Sequence, residues 1–234
     1  MKKNVSIHRL LGIGLLALLL LSVPVMSQQP ANAATPSIAT ITFTLDFPQS
    51  NPSYYSIVVD AEGHTRYECK GTIAEDSEAQ PYTSEFIMST SNRERIFAWA
   101  KQAQYFAGKV DSGNHKLAFT GAKVLSYQDG QRSTTAQYNY SSLVPVQELT
   151  SLLQNMAGTL EYGRNLAYYH RYQKLALNEE LKRMEAQAKS NQLAEIQSVA
   201  PVLQEIVDDP SVLNVDRARA RALMDAGKIA PAAH

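Results

Sequence analysis

The chain has 234 residues, of which 44% are hydrophobic, and its 22 basic and 22 acidic side chains give a formal net charge of zero. A chain of this length can bury a hydrophobic core without disulfides or metals. The single cysteine excludes an internal disulfide, and the balanced charge excludes a general attraction to nucleic acid or anionic membrane.

Residues 1–33 have the three parts of a secretory signal peptide. A basic, acid-free start is followed by the apolar run 10–25 and by Ala31 and Ala33 at a small-x-small cleavage position. The alternative is an uncleaved anchor, but the apolar run is shorter than the roughly 20 residues that a membrane span needs. The sequence therefore predicts export to the periplasm or the cell exterior and cleavage after Ala33. The mature chain 34–234 would carry 19 basic and 22 acidic side chains, a net charge of about −3, with no further membrane span.

Three strands are predicted at the start of the mature chain. Residues 41–47, "ITFTLDF", alternate apolar and polar side chains, which is typical of a half-buried strand. After the loop "PQSNPS", two strand-like segments, 54–60 and 64–70, flank the turn "AEG". Three loop residues ending in glycine favour a hairpin whose last loop position is left-handed.

The hairpin "YSIVVDAEGHTRYECKG", residues 55–71, contains one Asp, two Glu, one His and the only Cys, so it raises the question of a metal or catalytic site. If Asp60 pairs with His64 across the turn, alternate side chains fall on opposite faces of the sheet. One face then holds Tyr55, Ile57, Val59, Thr65, Tyr67 and Cys69.

This register separates the reactive side chains of the hairpin. Cys69 and His64 point to opposite faces, and His64 and Glu68 lie about 13 Å apart because each residue advances a strand by about 3.3 Å. The sequence therefore predicts neither a metal site nor a catalytic site here, and it predicts that Cys69 is a small buried residue. A free thiol on an edge strand and a disulfide to a partner remain the alternatives.

A helix is predicted over residues 92–107. Ser91 and Glu94 match a capping box before a run of apolar residues at helical spacing. Gly108 stands where a helix C-cap glycine belongs. Trp99, the only tryptophan, is predicted to anchor this helix in the core rather than to serve as a ligand platform.

Further strands are predicted at 82–89, 115–119, 122–127 and 133–140, the last two joined by the turn "QDGQ". A second helix is predicted to begin at Pro145, which is favoured in a first helical turn, and to carry an apolar stripe to Leu160. The sequence thus predicts an α+β domain over residues 38–162, an antiparallel sheet of hairpins covered by two helices.

The rest of the chain is predicted to be a helical C-terminal region, residues 164–226. Between Arg164 and Pro201 the chain contains no glycine or proline and carries a long stripe of apolar side chains at helical spacing. A short helix is expected over 201–207, and the last helix is expected over 211–226. Asp209 would cap that last helix, and Pro210 would occupy its first position. Residues 227–234 are expected to form a flexible tail that begins at a helix-ending glycine.

The front of the chain resembles an uncharacterised domain-of-unknown-function family of exported bacterial proteins. The similar residues are the hairpin "YSIVVDAEGHTRYECKG", the helix ending in "QYF" (Gln104–Phe106), and the later hairpin and helix. The resemblance covers about residues 40–160. Many members carry a cysteine pair just before the first of these strands, where this chain has "FPQSNPS". The resemblance implies no established activity, and any role of that pair is absent here.

No familiar catalytic or nucleotide-binding motif occurs in the sequence: G-x-S-x-G, H-E-x-x-H, G-x-x-x-x-G-K-[ST] and C-x-x-C are all missing. "DSGNHK" brings together Asp111, Ser112 and His115, but a nucleophilic triad normally converges from separate elements. The adjacent Glu179 and Glu180 would point in different directions from one helix, so they make a poor acid–base pair.

The candidate partner-binding residues lie in "EYGRNLAYYHRYQK", residues 161–174. Arg164, Tyr168, Arg171 and Tyr172 recur at near-helical spacing and could present a cationic and aromatic strip to an anionic or glycan partner. The alternative is that the tyrosines of this segment help the helix to pack on the sheet.

These observations predict a non-enzymatic interaction module of the cell envelope, with a protein or glycan partner, no cofactor, no metal and no nucleic acid. One alternative is an envelope hydrolase with a dispersed site built from His64, Glu68, Asp111 and His115. Another alternative is a structural homodimer joined through the C-terminal helices or through Cys69.

Overall fold

The computed structural model of the protein describes residues 38–73, 78–114 and 116–228. The predicted signal peptide, its cleavage site after Ala33, and residues 229–234 lie outside these ranges. Within them, no helix is both long enough and apolar enough to cross a bilayer.

In the described residues, six strands form one antiparallel sheet in the order β4-β3-β2-β1-β5-β6. Each strand alternates more buried and more exposed side chains, because one face packs on the core and the other faces solvent. The α+β fold class is therefore confirmed. The strands are β1 (Thr40–Asp46), β2 (Tyr54–Asp60), β3 (His64–Gly71), β4 (Gln80–Ile87), β5 (Ala122–Gln128) and β6 (Ser133–Tyr138).

The predicted register of the first hairpin is confirmed. Val59 lies opposite Thr65, Ile57 opposite Tyr67, and Tyr55 opposite Cys69, and all six side chains are buried. Gly63 ends the turn at φ 96°, a conformation that an L side chain rarely adopts. Because side chains alternate between the two faces of a strand, one correctly chosen pair of opposite residues determines which face of each strand packs into the core.

Five α-helices and two short 3₁₀ turns are found in the described residues. The predicted stripe of the second helix is buried, with Leu149, Leu153, Met156 and Leu160 in the core. The elements are α1 (Thr90–Gln102), a 3₁₀ turn (Gln104–Phe106), α2 (Val144–Tyr172), α3 (Lys174–Lys189), a second 3₁₀ turn (Ile196–Val199), α4 (Ala200–Asp208) and α5 (Asn214–Lys228).

The predicted ends of the first helix are wrong. Its N-cap is Ser89, whose hydroxyl accepts from the backbone N–H of Asn92, so the Ser91–Glu94 capping box does not form. The helix ends at Gln102, well before Gly108, because the backbone from residue 104 to residue 106 has positive φ angles. Trp99 is only partly buried against the core.

The strand predicted over 115–119 is also wrong where the structure describes it. Residues 116–121 form no strand, because the side chain of Asn139 donates to the carbonyl of Ala118 and accepts from the amide of Thr120. These backbone groups therefore bind a side chain rather than a neighbouring strand. His115 lies outside the described residues.

The last helix begins later than predicted, at Asn214. The Asp209 carboxylate accepts from the backbone N–H of Ser211, and the Asp209 carbonyl accepts from Val212, so this segment closes a turn instead of capping a helix. The helix also continues through Gly227, where an added Cβ would lie 3.2 Å from Ile196. That glycine allows a close approach to Ile196 and does not end the helix.

α2 is a single 29-residue helix that runs through the predicted domain boundary at residues 162–164. At Gly163 an added Cβ would lie 2.4 Å from the Val199 Cγ1 atom, so only glycine lets the second 3₁₀ turn pack so closely on α2. All described residues belong to one compact unit. The helical region after residue 173 therefore packs on the same helix that covers the sheet.

Candidate interaction surface

The structure separates Arg164 from the other three predicted binding residues. Arg164 is 6% exposed, and its guanidinium donates to the carbonyl of Gly71 at 2.7 Å and pairs with Glu161 at 3.3 Å. These inward contacts, made to strand β3 and to the preceding helical turn, remove the charge from the surface. Arg164 therefore cannot belong to an exposed partner-binding strip.

Arg164 is part of a buried polar cluster between α2 and the sheet. The Glu161 carboxylate accepts from the Tyr67 hydroxyl at 2.7 Å and from the Cys69 thiol at 3.1 Å. Burial, followed by the negative charge of Glu161, raises the pKa of the Cys69 thiol to about 12. The predicted burial of Cys69 is confirmed, and a protonated, enclosed thiol is neither a nucleophile nor an accessible disulfide partner.

The other three predicted residues remain together at the C-terminal end of α2. The ring centroids of Tyr168 and Tyr172 are 5.0 Å apart, and the Arg171 guanidinium lies 6.0 Å from the Tyr172 ring. Tyr172 is 63% exposed. They line an open cleft of about 570 Å³ together with His170, Lys174, Glu205 and Asp209.

Asp209 holds this end of α2 against the connection between α4 and α5. Its Oδ2 atom lies 2.9 Å from His170 Nε2 and 2.8 Å from Lys174 Nζ. The hydrogen bond from Lys174, followed by those from Ser211, holds the pKa of Asp209 well below its usual range. The carboxylate is therefore charged at neutral pH and ties three segments of the chain together.

Exposed apolar residues flank this junction on both chain segments. Leu175 is 90% exposed immediately after Lys174, and Leu213 and Val215 are 65% and 50% exposed shortly after Ser211. The sequence did not predict these three as binding residues, because Leu175 fits a helical pattern and the other two follow a turn. We define the joint surface as Tyr168, Arg171, Tyr172, Leu175, Leu213 and Val215.

The residues of the hydrolase alternative do not converge where the structure describes them. Asp111 accepts from the backbone N–H groups of Gly113 and Asn139, which fixes a loop. Glu68 pairs with Arg66 on the solvent face of the sheet. His115 lies outside the described residues.

Three side chains that could hold a metal ion lie close together at the tip of the first hairpin, for which the sequence predicted no metal site. One ligand atom from each of Asp60, Glu62 and His64 lies within 4.8 Å of the others. Partial burial raises the pKa of Asp60, but the stronger combined effect of hydrogen bonds from His64 and the backbone lowers it. The two Asp60 oxygens already form hydrogen bonds with His64 Nδ1 and with backbone N–H groups, so the Asp60 carboxylate is satisfied within the turn itself.

A comparison with models of protein families finds no match to this chain, and a comparison with curated proteins finds none that is significantly similar. The resemblance of residues 40–160 to a family of exported proteins therefore stays a prediction.

Proposed function

We propose that the protein is a non-enzymatic binding module of the cell envelope, and that its partner is another protein docking on the joint surface. One observation carries the proposal: an exposed arginine and tyrosine pair lies at a junction of two chain segments that both carry exposed aliphatic side chains. Tyrosine and arginine are enriched among the residues that dominate binding energy in protein interfaces. Contiguous exposed apolar side chains mark interaction sites more often than single ones do.

The geometry of the joint also favours binding. Lys174 and His170 both lie against the Asp209 carboxylate, so the end of α2 and the start of α3 are held by contacts to the α4–α5 connection. A surface that is already ordered loses less conformational entropy when a partner binds. Tyr172 and Leu175 are therefore presented from a fixed backbone.

A protein partner fits this surface better than a glycan or a nucleic acid. Leu175, Leu213 and Val215 offer aliphatic area, which gains free energy when another apolar surface removes it from water. Nucleic acid would require a cationic surface, whereas Glu205 and Asp209 line the same cleft as Arg171 and Lys174.

The test places a photo-crosslinking amino acid at position 175 and, as a control, at Val144, which is 63% exposed at the other end of α2. Val144 and Tyr172 are the first and last residues of the 29-residue helix α2, so the two ends lie about 42 Å apart along it. We expect a discrete crosslinked protein from position 175 only.

The identified partner is then purified and titrated against variants. Truncating a dominant interface side chain costs about 2 kcal/mol or more, so Tyr172→Ala and Leu175→Ser should weaken binding roughly 30-fold. Val144→Ser should leave the affinity unchanged. Equal affinity for all three variants would show that the joint surface is not the binding site.

The light-scattering mass of the purified protein separates a foreign partner from a second copy of this chain. A monomer agrees with the proposal. A dimer that Leu175→Ser dissociates would make the partner a second copy. Reductant should have no effect in either case, because Cys69 is buried.

A further inference from the structure

A second cleft, distinct from the joint surface, lies between α1, α2 and residues 188–197. Its volume is about 790 Å³, within the range typical of ligand sites in proteins. Its lining combines the apolar side chains of Leu152, Leu193 and Ile196 with polar side chains from all three segments.

The polar side chains of this cleft retain unused hydrogen-bonding capacity. Ser151 and Asn155 lie one turn apart on α2 and therefore face the same way. Asn191 lines the cleft from the segment after α3. Among the described residues, none of these three side chains has a hydrogen-bond partner. A side-chain amide offers both a donor and an acceptor, the same pair that a peptide group offers.

The α1 side of the cleft contributes an arginine without an acidic partner. The Arg95 guanidinium lies 4.8 Å from the centre of the Trp99 ring and donates to the Asn92 Oδ1 atom at 3.2 Å. The structure places no carboxylate within salt-bridge distance of Arg95 in the residues that it describes.

Two acids line the same cleft and neither pairs with Arg95: Glu148 on α2 forms no ion pair among the described residues, and Glu195 is already occupied. Glu195 is buried and accepts from the Ser89 hydroxyl and from the Asn92 amide, both at 2.6 Å. Its backbone is left-handed, with φ 58°. These contacts to the start of α1 fix one wall of the cleft and leave Arg95 as a cation available to a ligand.

We propose that this cleft binds an extended peptide segment, with a carboxylate of the peptide on Arg95. The amides of Asn155 and Asn191 pair with peptide groups, and the apolar floor accepts a side chain. An oligosaccharide is the less suitable ligand, because no aromatic side chain lines the cleft in the described residues to stack on a sugar ring.

A displayed library of random heptapeptides with free carboxyl ends tests the proposal on the purified protein. Wild-type protein is the target, and Ser151→Phe, which places a bulky side chain in the cleft from an exposed position, is the counter-target. We expect enriched peptides that bind only the wild type. If Ser151→Phe does not fold, as judged by circular dichroism, the doubly substituted Asn155→Ala, Asn191→Ala protein replaces it.

Synthetic copies of the enriched peptides are then titrated into the protein while the fluorescence of Trp99 is recorded. Trp99 is the only tryptophan of the chain, and its ring lies next to the Arg95 guanidinium. We expect Arg95→Gln to weaken peptide binding at least tenfold. We also expect removal of the peptide's carboxylates to weaken its binding to the wild type but not to Arg95→Gln. Arg93→Gln, two residues away on the same helix, is the control and should change the affinity less than twofold.

Three outcomes would overturn the proposal. The first is that no enriched peptide distinguishes the wild type from the cleft variant. The second is that Tyr172→Ala abolishes peptide binding while Arg95→Gln does not, which would assign the peptides to the joint surface. The third is that maltotriose or tri-N-acetylchitotriose changes the Trp99 fluorescence while the peptides do not, which would assign the cleft to sugars.

Discussion

Two glycines on α2 provide a matched test of how the C-terminal region packs. Gly158 and Gly163 lie five residues apart in the same helix, and alanine favours a helix interior by about 1 kcal/mol over glycine. At Gly158 an added Cβ would meet no atom within 4 Å. Gly158→Ala should therefore raise the free energy of unfolding by about 1 kcal/mol.

Gly163→Ala should have the opposite effect, because its new methyl group would lie 2.4 Å from Val199 Cγ1. Overpacking of this kind costs up to about 3 kcal/mol. Subtracting the gain in helix propensity of about 1 kcal/mol leaves a net loss of about 2 kcal/mol. The two alanine variants should thus differ by about 3 kcal/mol, the full overpacking cost.

Urea unfolding followed by circular dichroism measures the free energy of unfolding of both variants. An unchanged slope of this free energy against urea concentration would show that both variants expose the same surface when they unfold. Val199→Ala removes the Cγ1 atom and leaves only the Cβ atom, 3.0 Å from the new methyl group, so the double variant Gly163→Ala, Val199→Ala should be more stable than the sum of the single effects predicts, by about 1–3 kcal/mol. If Gly163→Ala stabilises the protein as much as Gly158→Ala does, the second 3₁₀ turn does not pack on α2 and the reasoning fails.

Three further predictions concern single side chains. Iodoacetamide at pH 8 should modify Cys69 at least about 100-fold more slowly in the folded protein than in urea, because the raised thiol pKa leaves little thiolate. Mass spectrometry measures both rates, and equal rates would contradict the burial of the thiol. Glu195→Ala should lower the free energy of unfolding by about 3 kcal/mol, because it leaves the partly buried donors of Ser89 and the buried amide of Asn92 without an acceptor; a neutral effect in urea unfolding would contradict a stabilising role of these Glu195 contacts. The lowered pKa of Asp209 means that its contribution to stability is fully present above its unfolded pKa of about 4 and is lost as the pH falls through its lower folded pKa, so the difference in unfolding midpoint between wild type and Asp209→Asn should shrink steadily below about pH 4; a difference as large at pH 2 as at pH 7 would contradict the lowered pKa.

The first hairpin shows what local sequence patterns can predict. Its two strands and its turn lie next to each other in the chain, so the alternation of side chains and one glycine determine the pairing of Tyr55 with Cys69. The fold class followed from the same kind of information. The pairing within the hairpin depends on contacts between residues that are close in sequence.

The errors at helix ends and in the binding strip arose from contacts between residues far apart in the chain. The start of α1 is fixed by Ser89, whose backbone N–H and hydroxyl bind Glu195, 106 residues later. Spacing alone placed Arg164 beside Tyr168, but the carbonyl of Gly71, 93 residues earlier, binds its guanidinium inside the protein. Helical periodicity gives the face of a residue and does not give its distant partner.

Both proposed sites depend on the part of the chain that the family resemblance does not cover. The joint surface needs Leu175 and the Asp209 turn, and the peptide cleft needs Asn191 and Glu195, whereas the resemblance ends near residue 160. The sheet and the first half of α2 alone would offer neither site, although they contain most of the features that the sequence predicted well. On both proposals, the specificity of this protein is carried by its C-terminal helices, and a protein that shared only residues 40–160 would not be expected to bind the same partners.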